Sequence, residues 1–569
     1  MSGMRIDLID IAVIVAYFIG IVLFGLWIAR KKIHGGQDYF LASHDMTWPL
    51  VGASLFSTNI SSQQFVGQAG LAFSIGIAAG AFQMVGAMCF LMLAVLFLET
   101  YMGLRIFTSP EFFQRRFSPA CRSFVSVINI LIIMLGNVAA SFYAGAAVLT
   151  TLLGWDQSPH EDALFWTAVI IIGVTTGSYT LLGGLRSVIY TDFVQTFILI
   201  GGGVITLVAG VIKAGGVAAV LALHDAGGTS MWTAIRPWNH PYGWLPFVTG
   251  VVVLGIHGHC TDHDYIQRTL AAKNLYHAKM GAVLASFLKV LALFIIAAPG
   301  VVAASIYHDL KSGDLAYSRL LIDVIPVGLA GLCLAGLLAA IQSSVSSGLS
   351  ATASLLAYDF IVKRVKNPSD KFVLVLGRAI VFGLLTLAII WAPFIRNFKG
   401  LFNYLVAVWT YTAPPVFVCV LLGLFYRPAN AKGAIATLSL GAALSVIGFS
   451  VLNIKIAPFL RIKESLPMYL QNNLNLSFVI TLISAAVMLI VSHATGSSVE
   501  DLEKAEAIRR SRTLDLEPMS PGEKRKYRCA VAVFLAAWLV VLIAFSPLGL
   551  GKRAKSVQTP AQSVSGALP

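Results

Sequence analysis

The sequence predicts an all-α polytopic membrane protein with about 14 transmembrane helices, and three observations carry that expectation. Of its 569 residues, 57% are hydrophobic and only 12% charged, a balance soluble domains do not show. Uncharged runs of the roughly 20 residues needed to cross a bilayer core recur from end to end. The basic residues sit in short loops between these runs, so the net charge of +14 speaks for membrane orientation rather than for nucleic acid.

The first run, "IDLIDIAVIVAYFIGIVLFGLWIARKK", is too long for a signal-peptide core. Its basic cluster follows it and no small-residue cleavage site is present, so 1–30 reads as a retained first span. Further runs lie near 48–72, 75–104, 121–153, 162–182, 188–212, 246–265, 276–306, 318–360, 371–394, 400–425, 430–454, 474–493 and 529–548. The 318–360 run is long enough to include a short extra helix.

With both termini outside, the inner loops collect "ARKK", "RRFSPACR", "QRTLAAKNLYHAK", "KRVKNPSDK", "YRPANAK" and the segment 494–528. These loops are the more basic set. Segment 494–528 alternates charge signs, as a solvated helix with a turn at its prolines would. Residues 549–569 have the small, polar composition of a disordered tail. The 6 cysteines are scattered and imply no disulfide framework.

Several polar stretches interrupt the apolar runs. "FSTNISSQQFVGQAG" in the second span is tolerated in a bilayer only where it is buried in protein or lines a cavity. It reads either as small-residue helix packing or as a broken helix whose freed carbonyls hold a cation. In the ninth span, "AAIQSSVSSGLSATAS" places Ala340, Ser343, Ser344 and Ser347 on one helical face with Ser346 beside it. Those oxygens suit a hard cation such as sodium, and they equally suit serines bonding back to their own helix. Lys289 falls halfway along the eighth span, where an amine costs about 2.5–3.5 kcal/mol unless it faces a polar interior. Asp192 opens the sixth span, where it either caps that helix or pairs with a cation.

The stretches "TNISSQQFVGQAG", "SPEFFQRRF", "TLLGGLRSVIYTD", "YIQRTLAAK", "SSVSS" followed by "YDF", and "LFNYLVAVWTYTAPP" together resemble the sodium/solute symporter family, in particular its sodium/glucose cotransporter branch. The resemblance runs from about residue 10 to 455. It implies an inverted five-helix-repeat core with two broken helices: a first repeat at 48–212, a second at 246–425, an extra helix before them and three after, at 430–548. It further implies a main sodium site at Ser57, Ile60, Ala340, Ser343 and Ser344, and a second at Asp192, Ser346 and Ser347 sharing Ser343. Sodium is then the coupling ion, two per cycle, and no organic cofactor is expected. One sodium moving through 100 mV contributes about 2.3 kcal/mol and supports roughly 50-fold solute accumulation, and two support roughly 2000-fold.

For the solute, the resemblance implies Asn59, Gln64, Gln68, Phe82, Gln83, Gly255, His257, Gly258, His259, Lys289 and Val406. Here the sequence departs from the sugar-binding pattern. The family's acidic residue in the third span is Gln83, its polar sugar contact is Gly255, its gating tyrosine is Gly258, the adjoining tryptophan is His259, and its glutamine in the eleventh span is Val406. A site with Lys289 and a protonated His257 or His259, lacking a carboxylate at 83, is more electropositive than a neutral-sugar site and admits an organic anion. A smaller gate residue instead admits a bulkier sugar or polyol, the reading preferred.

The expected function is thus a sodium-coupled symporter of the cell membrane that imports a sugar or polyol by alternating access, with an organic anion as the alternative. Its partners are the solute, sodium and the bilayer, without an obligate protein partner. No loop is large enough for a catalytic domain, and no signalling module follows the last span. A sodium-leak channel and a metal-binding transporter remain as rivals. The second of these rests on "GIHGHCTDHD", where His259 and His263 stand at i, i+4 beside Cys260 and Asp262. Gly250, Gly255 and Gly258 loosen that helix in a way unsuited to a structural metal. The preferred division has Gly255, His257, Gly258 and His259 lining the solute site and inner gate, with Asp262, His263 and Asp264 facing the inner vestibule.

Overall fold

Helices are the only regular elements among the described residues, as expected of a chain that must satisfy its backbone internally within lipid. The computed structural model describes residues 7–551 apart from 32, 34, 62, 156–157, 226–227, 309, 311–312, 314, 394–400, 455–456 and 513–516. At 63, 152, 401–408, 457–458 and 460 it describes the backbone alone. Many helix starts carry a side-chain cap. Asp7 accepts from Ile9 N–H at 3.0 Å, Asn274 from His277 N–H at 3.0 Å and Asn430 from Gly433 N–H at 2.8 Å. Ser498 with Asp501, and Ser520 with Glu523, form reciprocal capping boxes.

Eleven described helices are long and apolar enough to cross a membrane. The helices that build the site, some of them shorter, are α1 (Leu8–Ala29), α2 (Trp48–Asn59), α3 (Ala81–Met92), α4 (Glu161–Lys213), α5 (Val252–Thr261), α6 (His263–Leu270), α7 (Leu275–Ala292) and α8 (Leu329–Leu355). α8 is the axis of the bundle, with every residue but Leu329 and Leu332 buried. α1, α2 and α4 pack on it, and α7 lies against α2 and α3. Asp10 of α1 ties the first helix to the start of α8 by accepting from Gly328 N–H and Gly331 N–H at 2.7 and 2.6 Å. The expected short helix ahead of α8 is Leu315–Asp323, which overlaps the start of the 318–360 run.

α4 is 53 residues long. At 1.5 Å per residue that is about 80 Å, far beyond one hydrocarbon thickness. It turns at Gly184, whose φ of 56° is open to glycine and whose absent Cβ would stand 2.4 Å from Tyr39 O.

Two other interruptions position the site. α2 stops where Ile60 turns extended (φ −89°, ψ 114°), and the chain resumes as a π-helical turn at Gln63–Gln68. α5 and α6 meet at Asp262 (φ −65°, ψ 134°). The second break therefore lies beyond the glycines expected to loosen it. Gly255 and Gly258 sit in regular helix, and a Cβ on Gly255 would be 2.7 Å from Cys89 Sγ. A Cβ on Gly250 would be 2.3 Å from Leu474 O, so these two glycines admit close neighbours rather than supply looseness.

The segment 494–528 also differs from a freely solvated helix. Val499–Ser511 buries Ile508 and Ser511, and Lys504 Nζ donates to Phe117 O at 2.9 Å, so this helix docks on the bundle. Of the expected tail, 549–551 folds back, with Leu550 N–H donating to Ala544 O at 2.7 Å, and 552–569 lie outside the described residues.

Candidate functional site

Residues from both helix breaks line one cavity of about 120 Å³. Asn59, Gln64, Gln68, Phe82 and Gln83 line it from one side of the sequence, and Gly255, His257, Gly258, His259 and Lys289 from the other. The side chain of Val406 lies outside the described residues. The helix breaks bring these positions together, because an uninterrupted helix would put its own backbone where the cavity now opens.

Lys289, buried on α7, donates its ammonium to Asn59 Oδ1, which fixes the amide the other way round. Asn59 Nδ2 then donates to Tyr265 OH at 2.8 Å and faces His259 Nε2 at 3.4 Å. The other ring nitrogen, His259 Nδ1, is 2.8 Å from Gly255 O, which can only accept. His259 is therefore a neutral ring with its proton on Nδ1, stacked on Tyr265 with ring centroids 5.5 Å apart. This speaks against the protonated His259 on which the organic-anion alternative drew.

The glutamines divide their work. Gln64 bridges the gap after α2: its Nε2 donates to Asn59 O at 2.9 Å, and its Oε1 accepts from Ser61 N–H and Oγ–H at 2.7 and 2.6 Å. Gln68 Nε2 donates to Ala79 O at 2.7 Å and Gln83 Nε2 donates to Gln68 Oε1, leaving Gln83 Oε1 buried without a partner. Gly258 has no atom within 4 Å of where a Cβ would stand, so the missing gate side chain leaves open space.

The oxygens expected to hold cations lie where α2, α4 and α8 pack. Ser57, Ile60, Ala340 and Ser343 are fully buried and Ser344 nearly so. Ser57 Oγ has no hydrogen-bond partner, and Ala340 O accepts from Ser344 Oγ at 3.0 Å. The orphaned Ser57 hydroxyl and the serine and carbonyl oxygens of α8 are hard oxygen donors, a chemistry that fits sodium.

Asp192 does not cap a helix. It lies within α4 past the turn at Gly184, with Ser54 Oγ donating to Oδ2 at 2.5 Å and Ser343 Oγ to Oδ1 at 2.7 Å. Ser347 bonds to Thr58 at 3.0 Å, whereas Ser346 bonds back to Ser343 O at 3.1 Å and makes no bond to Asp192. Arg268, fully buried, reaches into the same place. Its Nη2 is 3.8 Å from Asp192 and bonded to Ser347, and its Nε donates to Ser54 at 3.0 Å.

The sequence reading missed Arg268, Tyr265 and Ser54 as parts of the site, and also Asn137 and Ser141, which line the cavity from the fourth span. The signal for the last two was present, since polar residues inside an apolar run are spaced i, i+4. The vestibule assignment also changes. Asp262 and Asp264 line the cavity itself, and His263 is fully buried. Its Nδ1 accepts from Ser109 N–H at 3.2 Å and its Nε2 meets Ser354 Oγ at 2.5 Å, so both ring nitrogens are engaged. Asp262 separates His263 from the helix that carries His259, and among the described residues no group of His, Cys, Asp and Glu assembles into a metal site.

The sodium:solute symporter family profile matches residues 39–441. The chain belongs to that family. Similar members include the sodium/myo-inositol cotransporter 2 of Mus musculus, 33% identical over 77% of this chain and 69% of the relative. Another is the sodium/glucose cotransporter 4 of Danio rerio, 29% identical over 85% and 78%. A solved structure of a Na+-coupled sialic acid symporter in a substrate-bound outward-open state shares the fold, with a TM-score of 0.69 at 19% identity over 86% of this chain and 98% of that one. A nucleobase-cation-symport-1 family transporter in a closed conformation shares it more distantly, with a TM-score of 0.51 at 11% identity over 84% and 100%. As a member of the symporter family, the protein is a multi-pass membrane transporter, not an enzyme, and its transported partners are sodium and a solute.

Proposed function

We propose that this symporter couples the inward movement of two sodium ions to that of a sugar or polyol by alternating access at the cavity between the helix breaks. The observation that carries the reading is the mixed character of the cavity wall. Lys289, Asn59 and Tyr265 present a donor-rich group, while Gln83 Oε1, Asp262 and Asp264 present acceptors. A ring bearing many hydroxyls, each both donor and acceptor, satisfies such a wall. The named solutes of the similar cotransporters, glucose and myo-inositol, are of this class. An organic anion is disfavoured, because it would meet two carboxyl groups and a neutral His259 where the sequence suggested a positive site.

In this reading Ser57, Ile60, Ala340, Ser343 and Ser344 hold the main sodium, and Asp192, Ser343 and Ser347 hold the second, with Ser346 at its edge. Arg268 serves as the counter-charge that Asp192 keeps when that sodium leaves. Asn59, Gln68, Gln83, Gly255, His257, Gly258, His259, Lys289 and Val406 contact the solute with Phe82, and Gln64 holds the break open. Counting α4 as two crossings, and each broken helix as one, supports fourteen crossings. Of these, 48–212 and 246–425 are the inverted repeats, and both termini are outside the cell membrane.

The test is uptake by purified protein in proteoliposomes of a panel of sugars, polyols, sugar acids and amino acids, with and without a sodium gradient. Sodium-dependent uptake and counterflow of sugars or polyols supports a carrier of this class. Sodium flux without counterflow identifies a channel, and preference for sugar acids overturns the solute assignment.

A further inference from the structure

Asp262 and Asp264 flank the second helix break, are 6% and 2% exposed, and both line the cavity. One oxygen of each, Oδ1, has no hydrogen-bond donor, and the hydroxyl of Ser141, on the same cavity wall and fully buried, has no partner either. The two carboxyl groups are close enough to act on one another electrostatically, and the Asn137 amide stands beside Asp264. Asn137 lies one turn before Ser141, so both present to the same side.

The nearest cations are committed elsewhere. Arg268 gives its nitrogens to the backbone carbonyl of Asp264, to Ser54 and to Ser347, and Lys289 gives its ammonium to Asn59. His257 turns Nε2 toward Asp262 Oδ1 at 3.4 Å without a hydrogen bond, its Nδ1 being occupied at 2.9 Å by Thr261. Two neighbouring carboxyl groups in a desolvated pocket, with an unpartnered hydroxyl beside them, an Asn137 amide that donates to Asp264 and keeps its oxygen to accept, and no cationic side chain hydrogen-bonded to either carboxyl, form a seat for positive charge.

We propose that Asp262, Asp264, Asn137 and Ser141 form a cation subsite within the solute cavity, distinct from the oxygens around Ser57 and Asp192. It takes one monovalent cationic centre, either sodium or the ammonium of an amino-substituted sugar or polyol. The inference rests on reading the cavity as the solute site, and the two fail separately.

Full-length protein is titrated with sodium chloride in a choline chloride background, and separately with glucosamine and with glucose, following thermal unfolding in wild type and Asp264→Asn. A charge-assisted contact predicts one of two results. The sodium midpoint rises about tenfold in Asp264→Asn while the glucosamine-to-glucose ratio stays as in wild type, which assigns the seat to the inorganic ion. Alternatively the wild type prefers glucosamine to glucose by about tenfold and Asp264→Asn loses the preference, which assigns it to the solute. Sodium midpoints and glucosamine-to-glucose ratios within about twofold of wild type in a folded variant overturn the proposal, including the outcome in which the pair holds only a proton. Should Asp264→Asn not fold, Asp262→Asn is read by the same criteria. Absence of all sugar and polyol uptake by the wild type removes the solute reading, while the sodium midpoint still reports the seat.

Discussion

The Ser343 hydroxyl donates to Asp192 Oδ1 at 2.7 Å, joining α8 to α4 across 151 positions of sequence. In the proposed assignment Ser343 belongs to both sodium sites and Asp192 to the second, so this hydrogen bond would link the two. A sodium ion on the Ser343 oxygen leaves its O–H donating to Asp192 and polarises that bond, so occupation of one proposed site is expected to act on the other.

Asp192→Ala removes the carboxylate of the proposed second sodium site and leaves Arg268 buried without its counter-charge. Sodium-driven uptake is expected to rise with a Hill coefficient above one in wild type and of one in the variant. The thermal midpoint is expected to fall with a loss of about 3–5 kcal/mol, the range for breaking a buried pair. Equal coefficients of one in both proteins count against two sodium ions.

Ser57→Ala and Ser343→Ala separate cation binding from structure. Ser57 Oγ has no protein partner, so its loss is expected to leave stability within about 0.5 kcal/mol while raising the sodium midpoint about tenfold. Ser343→Ala strips a donor from buried Asp192 and is expected to cost about 1–3 kcal/mol as well. Denaturation and sodium titration of the same preparations measure both.

Lys289→Met breaks the bond that orients Asn59 toward Tyr265 and His259. The expected outcome is a solute KM raised tenfold or more, since a charge-assisted bond is worth about 1.5–3 kcal/mol. The sodium midpoint should hold, and a parallel shift in it would show that Lys289 acts on the cation instead.

Gly255 and Gly258 sit one turn apart and should respond oppositely. Gly255→Ala forces a methyl against Cys89 Sγ, 2.7 Å away, and is expected to lower stability by about 1–3 kcal/mol. Gly258→Ala meets nothing within 4 Å and should be tolerated, whereas Gly258→Phe fills the open space and should favour smaller solutes. Melting curves and a solute panel distinguish the three.

His259→Trp replaces the acceptor that faces Asn59 and the ring stacked on Tyr265. Solute preference is expected to change, with uptake by the parent protein insensitive to the charge state of His259 between pH 5.5 and 8 because the ring is neutral. Unchanged preference would remove His259 from the solute site.

Much of this was legible in the chain itself. The apolar runs, the polar interruption at "STNISSQQ", Lys289 and Asp192 as intramembrane charges, and the serine face of α8 are properties of composition and spacing. They follow from what a bilayer tolerates, without reference to distant residues. The resemblance, carried most specifically by "QRTLAAK" and "YTLLGGLRSVIYTD", placed the family.

The tertiary structure decided what the polar residues do for one another. The break at Asp262 rather than at a glycine turned Asp262 and Asp264 into the cavity, and turned His263 into the core against Ser109 and Ser354. The neutral state of His259 depends on Gly255 O and Asn59, and the role of Arg268 on Ser54, Asp192 and Ser347. Local sequence determines which segments cross and where polarity must be sheltered, because burial of apolar area and backbone satisfaction are sums over neighbours. Pairing of charges and hydroxyls across helices depends on packing between segments far apart in the chain, such as Arg268 and Ser347, 79 positions apart, or Ser343 and Asp192, 151 apart, which no local pattern encodes.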